Sequence, residues 1–461
     1  MIKRTLEQVA KMIKVENDLV QFSNESIHGV CIDSRKIQKG NLFIPLKGEK
    51  MDGHVFVEGA IEQGATAALW QKDVPNPPKH LPILIVENTE TALQELARSY
   101  RNELNVKVVG ITGSNGKTTT KDMSASLLSL RYKVKKTEGN FNNHIGLPLT
   151  VLSLNEDTEV AVIEMGMSAK GEIEFLSKLA RPNIVVITNI GESHLLDLGS
   201  RESIADAKFE IITGLQDQGA IIINGDEPLL REKIEKYSGD ATIHTFGRDK
   251  SNTLYPTKIE QKGDGSIFSI NQSKESFQLS VLGNHNILNA LAAMLVARHF
   301  DIPFEEMNDG FKNLKLTNMR MELVEGEKGE RIINDAYNAS PTSMRAAIEL
   351  VSNLTGFSKK VLILGDMLEL GPDEEKFHFE VGESLDPEKI DYVFTYGKLG
   401  RFIADGAKTS FPEDRVFSFV DKDLLSEKMK EFTNSQTLIL VKASRGMRLE
   451  EVVQGLMKKK N

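Results

Sequence analysis

At 461 residues the chain has room for about three domains of ordinary size, each able to bury a core without disulfide staples. Its 57 Lys and Arg against 66 Asp and Glu leave a net charge of −9, which argues against a broadly basic surface for nucleic acid or anionic lipid. The one cysteine, Cys31, excludes a disulfide framework and a cysteine-rich metal centre, and within Gly29-Val30-Cys31-Ile32 it reads as a small buried hydrophobe.

Residues 1–14 mix charges with apolar residues at helical spacing, unlike a signal peptide, and no run of about 18 apolar residues occurs. Neither export nor membrane insertion is expected, so the protein should act in the cytoplasm. Residues 1–85 hold short strand candidates at 30–32, 42–45, 67–70 and 83–86, separated by Gly, Asp and Pro, and predict a small α/β domain. Residues 86–316 carry compact Val- and Ile-rich runs at 108–111, 160–163, 184–187 and 220–223, the pattern of a parallel sheet covered on both faces. A helix following Lys117 places Met123, Leu127, Leu128 and Leu130 along one side; a second is predicted over 286–300, and a polar hairpin over 259–277. Residues 317–461 predict a third α/β domain, with strands at 361–364, 392–396, 416–420 and 438–441 and helices at 423–433 and 450–458. Lys458, Lys459 and Lys460 close it at the negative end of the last helix dipole.

The strongest local signal is Gly110-Ile111-Thr112-Gly113-Ser114-Asn115-Gly116-Lys117-Thr118-Thr119-Thr120, between a buried strand and a helix. Glycines let backbone N–H groups curl around phosphate oxygens, the helix N-terminus adds its positive end, Lys117 can reach the β- and γ-phosphates, and Thr118 can ligate Mg²⁺. Ile111 stands where the longer form of this loop has its first glycine, so the shorter T-G-x-x-G-K-T-T variant fits. The loop alone leaves switches, kinases, motors and ligases open. Glu164 ends the strand at 160–163, where a carboxylate could hold Mg²⁺. Thr188 to His194 follow the next strand, and Ser200 or Ser203 could cap a helix that carries Lys208 close to its buried face, beside Ile204 and Ala207.

Together, Thr112 to Thr119, Ile163 to Gly166, Asn189 to His194 and Gly199 to Glu210 resemble the Mur ligases, the ATP-dependent amide-forming enzymes of peptidoglycan precursor synthesis. The resemblance continues through Asn224 to Glu227, Gly283 to Ala290, Arg320-Met321-Glu322, Asp335 to Ala339 and Lys442 to Gly446, in the family's order. It implies a three-domain α/β architecture: a small UDP-binding domain, a central phosphate-loop domain with a parallel sheet, and a Rossmann-like C-terminal domain. It further implies ATP at Thr112, Gly113, Ser114, Asn115, Gly116, Lys117, Thr118 and Thr119, with Asn286 and Asn289 by the adenine, Arg320 near the γ-phosphate and Asp335 near the ribose. Two Mg²⁺ ions are implied, at Thr118, Glu164, His194 and a carbamylated Lys208. The implied catalytic set is Lys117, Glu164, His194, Lys208 and Arg320.

Two regions bear on the substrate. Asp33-Ser34-Arg35, Leu42 to Gly48 including Lys47, and Asp52-Gly53-His54 resemble the UDP-binding domain of members that add the third amino acid or the terminal dipeptide. Asp335 to Pro341, including Tyr337 and Asn338, and Gly365 to Gly371, followed by His378, resemble the member that joins D-alanyl-D-alanine to UDP-N-acetylmuramoyl-tripeptide. Asn142 and Asn143 lie in a stretch similar to the family's substrate-side loop. The third-amino-acid ligase is the alternative, but its Asp-Asn-Pro-Arg signature is missing from the sequence; a nucleotide-driven switch is the more remote one. Ser340, Thr342, Met319 and Ala443 depart from the family's usual residues, and the bulk of Met319 could shift an interdomain hinge. Small-molecule substrates, no nucleic-acid partner and a monomer are expected.

Overall fold

The computed structural model describes residues 1–48, 51–262 and 265–457; Lys458, Lys459 and Lys460 lie outside the described residues. Each of the three blocks is built around a sheet. In the first, Val30–Cys31, Leu42–Phe43, Ala67–Gln71 and Ile83–Val86 pair in parallel in chain order, while Lys3–Thr5 pairs antiparallel with Ser26–His28. Cys31 is half-exposed rather than buried, because its strand ends there and its Sγ turns to the Asp33 carbonyl at 3.2 Å.

The central sheet has six parallel strands in the order Thr242–Phe246, Ala220–Asn224, Ile184–Ile187, Lys107–Thr112, Val160–Glu164, Val134–Lys136. Its middle strands are apolar at successive positions because helices cover both faces: Ile184, Val185, Val186 and Ile187 are all fully buried. From Lys107–Thr112 the chain crosses to one side of the sheet and later to the other, so the loop after this strand opens at the switch point where α/β sheets bind ligands. The helix Thr89–Glu103, capped by Asn88, buries Leu93, Leu96 and Tyr100 in a core shared by the first two blocks. The Tyr100 hydroxyl donates to the Leu154 carbonyl at 3.0 Å within the central module, and the Ile2 N–H donates to the Leu152 carbonyl at 2.8 Å, tying the N-terminal module to it.

The stretch expected as a polar hairpin is a three-stranded antiparallel sheet, Pro256–Lys262, Gly265–Ile270 and Ser276–Leu279. Its outward residues are polar, but Phe268 and Phe277 point inward against Phe311 and Phe304. The third sheet runs Glu322–Glu325, Arg331–Asp335, Thr437–Lys442, Lys359–Gly365, Tyr392–Tyr396, Val416–Phe419, parallel except for its first strand. The helix expected over 423–433 is shorter, Lys422–Met429, and starts at an Asp421 cap. The last helix described is Glu450–Leu456.

One buried carboxylate anchors the passage between the second and third modules. Asp122 stands on the helix Lys117–Leu128, and its Oδ2 accepts from both the N–H and the hydroxyl of Thr317, at 2.8 and 2.9 Å. Its Oδ1 meets Lys136 at 2.6 Å and Lys121 at 3.3 Å. Just beyond this anchor Met319 and Met321 both take left-handed backbone, with φ of 62° and 51°. A side chain there crowds the backbone, which explains why glycine suits the first position. Removing Asp122 would leave buried Lys121 and half-buried Lys136 without their carboxylate, so Asp122→Ala is expected to destabilise the protein by about 3 kcal/mol, measured by urea unfolding.

Candidate active site

The carboxyl ends of the central strands and the facing edge of the third module enclose one cleft of about 460 Å³, within the usual range for small-molecule sites. At its floor the strand Lys107–Thr112 passes through a glycine turn into the helix Lys117–Leu128. Gly113, with φ of 147°, leaves no space for a Cβ beside Thr188, and Gly116, with φ of 81°, none beside Asn289. No side chain caps this helix, so its first N–H groups and its dipole are free to meet an anion.

The side chains around this turn carry the chemistry. Lys117 Nζ folds back onto its own loop, donating to the Gly113 carbonyl at 2.7 Å. Burial and the nearby Arg320 lower its pKa, while Glu164 pulls the other way. Thr118 Oγ1 donates to Glu164 Oε2 at 2.8 Å, which puts two hard oxygen ligands side by side, and Asn142 Nδ2 donates to Glu164 Oε1 at 2.8 Å. Asn143 instead accepts from the N–H groups of Ile145 and Gly146, supporting the start of the next helix.

Lys208 lies on the helix Arg201–Phe209, which Ser200 caps. It is only 2% exposed, and among the described residues its ammonium has no hydrogen-bonding or ion-pairing partner. Burial, with the adjacent Lys117 charge, holds its pKa well below the ordinary lysine value. His194 has left-handed backbone, φ 66°, and burial together with Lys117 and Lys208 lowers its pKa to about 4. Lys208 is therefore a buried amine without a partner, whose charged form its surroundings disfavour.

The third module supplies the opposite wall. Arg320 lies 4.2 Å from the Tyr337 ring centroid, and its buried Nε has no hydrogen-bond partner. Asp335 Oδ2 pairs with Lys442 at 2.5 Å, and Lys442 also donates to the Asn338 carbonyl at 2.9 Å. Asn289 Nδ2 donates to Asn286 Oδ1 at 2.9 Å. The two walls touch where Thr342 Oγ1 donates to Glu192 at 2.7 Å, and where Asn115 Nδ2 reaches Ser340 Oγ at 3.4 Å. Ser340 and Thr342, two of the unusual residues, thus join the modules.

Of the expected residues, the cleft gathers Ser114 to Thr119, Asn142, Asn143, Glu164, His194, Lys208, Asn286, Asn289, Arg320, Asp335, Tyr337 and Asn338. Thr112 is buried beneath it. The N-terminal candidates are elsewhere. Asp33 pairs with Arg35 at 2.8 Å beside Ser34, and Lys47 with Asp73 at 2.8 Å. Asp52 caps the turn that begins at Gly53 and meets His54 Nδ1 at 2.5 Å; His54 Nε2 accepts from the Gln71 N–H, so both ring nitrogens serve the fold. His378 is likewise fully buried, accepting from the Met367 N–H. Lys442, His285, Thr188 and Asn224 also line the cleft but were not among the expected site residues. Lys442 and Asn224 each close an apolar strand at its carboxyl end, a signal the sequence did carry.

Such a cleft, with a phosphate turn on one module and cations brought by another, defines a multidomain nucleotide-dependent enzyme of the phosphate-loop type. The chain belongs to the Mur ligase family. Residues 111–297 match the Mur ligase middle domain, 319–445 the Mur ligase glutamate ligase domain, and 26–101 the Mur ligase family catalytic domain. It is 53% identical over 457 residues, 99% of each chain, to the UDP-N-acetylmuramoyl-tripeptide–D-alanyl-D-alanine ligase of Bacillus subtilis. A crystal structure of MurF from Acinetobacter baumannii superposes with a TM-score of 0.89 at 28% identity, covering 100% of both chains. MurF ligase from Thermotoga maritima in complex with ADP gives 0.81 at 28% identity, over 95% of this chain and 98% of that one.

Gly113→Ala should weaken ADP binding at least about tenfold by calorimetry, because the new methyl displaces Thr188 from the turn. A pH effect follows from His285, whose pKa burial and Lys442 lower to about 4. Between about pH 6.5 and 4 the unfolded chain takes up this proton and the folded one does not, so stability falls as pH falls. Denaturant midpoints should show this decline in the wild type and a shallower one in His285→Gln.

Proposed function

We propose that the protein joins D-alanyl-D-alanine to UDP-N-acetylmuramoyl-tripeptide at the expense of ATP, in peptidoglycan precursor synthesis. The observation that carries this reading is the cleft itself: the phosphate turn, the Thr118–Glu164 oxygen pair and the unpartnered Lys208 face Arg320 across one space. The full-length likeness to ligases of that name supports the same substrates here. The division of labour follows the modules: residues 1–85 hold the UDP end, 86–316 ATP, and 317–461 the incoming dipeptide.

A carboxylate does not condense with an amine at neutral pH, because it repels nucleophiles and hydroxide leaves poorly. The terminal carboxylate of the tripeptide attacks the γ-phosphorus of ATP, giving an acyl phosphate and ADP. The dipeptide's neutral amine then adds to the carbonyl; the amine proton is lost, phosphate departs with the former carboxylate oxygen, and the amide remains. Lys117, released from its own loop carbonyls, and Arg320 neutralise the charge that gathers on the transferring group. Asp335, beside Lys442, can accept from the ribose hydroxyls, and Asn286 and Asn289 offer amides to the adenine. Thr118 and Glu164 would hold one Mg²⁺, and His194 with carbamylated Lys208 a second. Bound there, the two ions supply positive charge to the phosphate oxygens. The buried, partnerless Lys208 fits carbamylation, since a neutral amine adds to carbon dioxide and the product is the anion the cationic surroundings favour. The enzyme works as a cytoplasmic monomer; no described helix is long and apolar enough to cross a membrane.

ADP release in the presence of the UDP-linked tripeptide should require D-alanyl-D-alanine, and ¹⁸O from the tripeptide carboxylate should appear in phosphate. Single amino acids driving ADP release instead would select the third-amino-acid ligase. Lys208→Ala is expected to lower turnover at least about a hundredfold, with partial recovery on adding formate or acetate. Failure of small carboxylates to rescue it would remove the carbamate from this scheme.

A further inference from the structure

Glu369 belongs to the third module, in the turn that follows the strand Lys359–Gly365, yet its Oε2 stands 2.8 Å from Nδ1 of His194 on the central module. The backbone fixes this meeting, because the Leu196 N–H donates to the Glu369 carbonyl at 3.1 Å. Both residues are left-handed, with φ of 66° at His194 and 65° at Glu369. Non-glycine residues keep that backbone only where their surroundings over-determine it, and here two such residues meet across a module boundary. The distance suits a hydrogen bond but the direction does not: Nδ1 has no aligned partner. A small rotation of the ring or the carboxylate would complete the bond.

We infer that Glu369 is a positioning residue for His194, drawing the imidazole proton to Nδ1 so that the Nε2 lone pair remains for the cleft. A neutral imidazole has one donor and one acceptor nitrogen, and a carboxylate at Nδ1 selects which is which. The inference rests on the proposed role of His194 in holding Mg²⁺. Its consequence is a link between docking and metal affinity: His194 is set in its ligating tautomer only when the third module is seated. Asp197 offers a second carboxylate within 4.8 Å of the same atoms, so the two acids have to be told apart.

The test is Mn²⁺ binding to the full-length protein saturated with ADP, followed by electron paramagnetic resonance, beside the Mg²⁺ dependence of ADP release. Glu369→Ala should weaken Mn²⁺ binding about tenfold and raise the half-activating Mg²⁺ concentration equally, with kcat at saturating Mg²⁺ largely kept. Glu369→Gln, whose amide oxygen can still accept from Nδ1–H, should recover most of the affinity, and Asp197→Asn should leave it near the wild-type value. Melting temperatures establish that each variant is folded. Equal Mn²⁺ affinity in wild type and Glu369→Ala, no recovery in Glu369→Gln, or the same loss in Asp197→Asn would each overturn the assignment. A wild-type protein that binds Mn²⁺ but forms no amide would sink the proposed reaction instead, while the Mn²⁺ comparison would still decide the role of Glu369.

Discussion

Holding half-buried Lys117 close to fully buried Lys208 is the constraint on which the rest of the site depends. An ammonium loses several kcal/mol on leaving water unless an anion replaces the lost hydration. Glu164 offsets Lys117 in part, but no carboxylate offsets Lys208. The cleft is consequently short of negative charge, and every neighbouring device points the same way. The uncapped helix end, the carbonyl-bound Lys117 and the buried Nε of Arg320 all await anionic oxygens. The apolar strands around the site, buried along their length, hold these groups in place.

That electrostatic tension has to be assembled from two bodies. The phosphate turn is fixed to the central sheet, whereas Arg320, Asp335 and Lys442 ride on the third. Between them, Asp122 holds Thr317 firmly to the phosphate helix, and the left-handed Met319 and Met321 follow at once. Arg320 stands between these two left-handed residues, so the backbone that carries it is conformationally constrained on both sides. The position of this cleft-lining cation therefore depends on the backbone conformation of its two neighbours.

The sequence made the central module the most legible part. Buried parallel strands are apolar along their length, so Ile184–Ile187 and residues 160–163 announce themselves, and the glycine turn between strand and helix has few other uses. Legibility fails where one face of an element is wet. Gly265–Ile270 and Ser276–Leu279 alternate polar and apolar residues and so looked like a polar hairpin, and Arg331–Asp335 is flanked by charges that hid it. Lys208, His194 and Arg320 were marked by resemblance, since a lone lysine, histidine or arginine has no local pattern that separates a ligand from a solvated charge. The tie between Lys442 and Asp335, 107 residues apart, exists only in the folded chain.

The net charge of −9 takes on a different meaning in this light. An acidic surface repels the anionic nucleotide and the anionic peptide substrate at long range, but physiological salt confines that repulsion to about 8 Å. Attraction therefore has to be local, and locality imposes selectivity. Only a ligand that carries its charges at the spacing of Lys117, Arg320 and the helix end recovers the desolvation those groups have already undergone. A diffuse basic surface would hold polyphosphates indiscriminately and close over none of them. Placing few cations and dividing them between two modules makes the match to an anion depend on how the two modules are seated against each other.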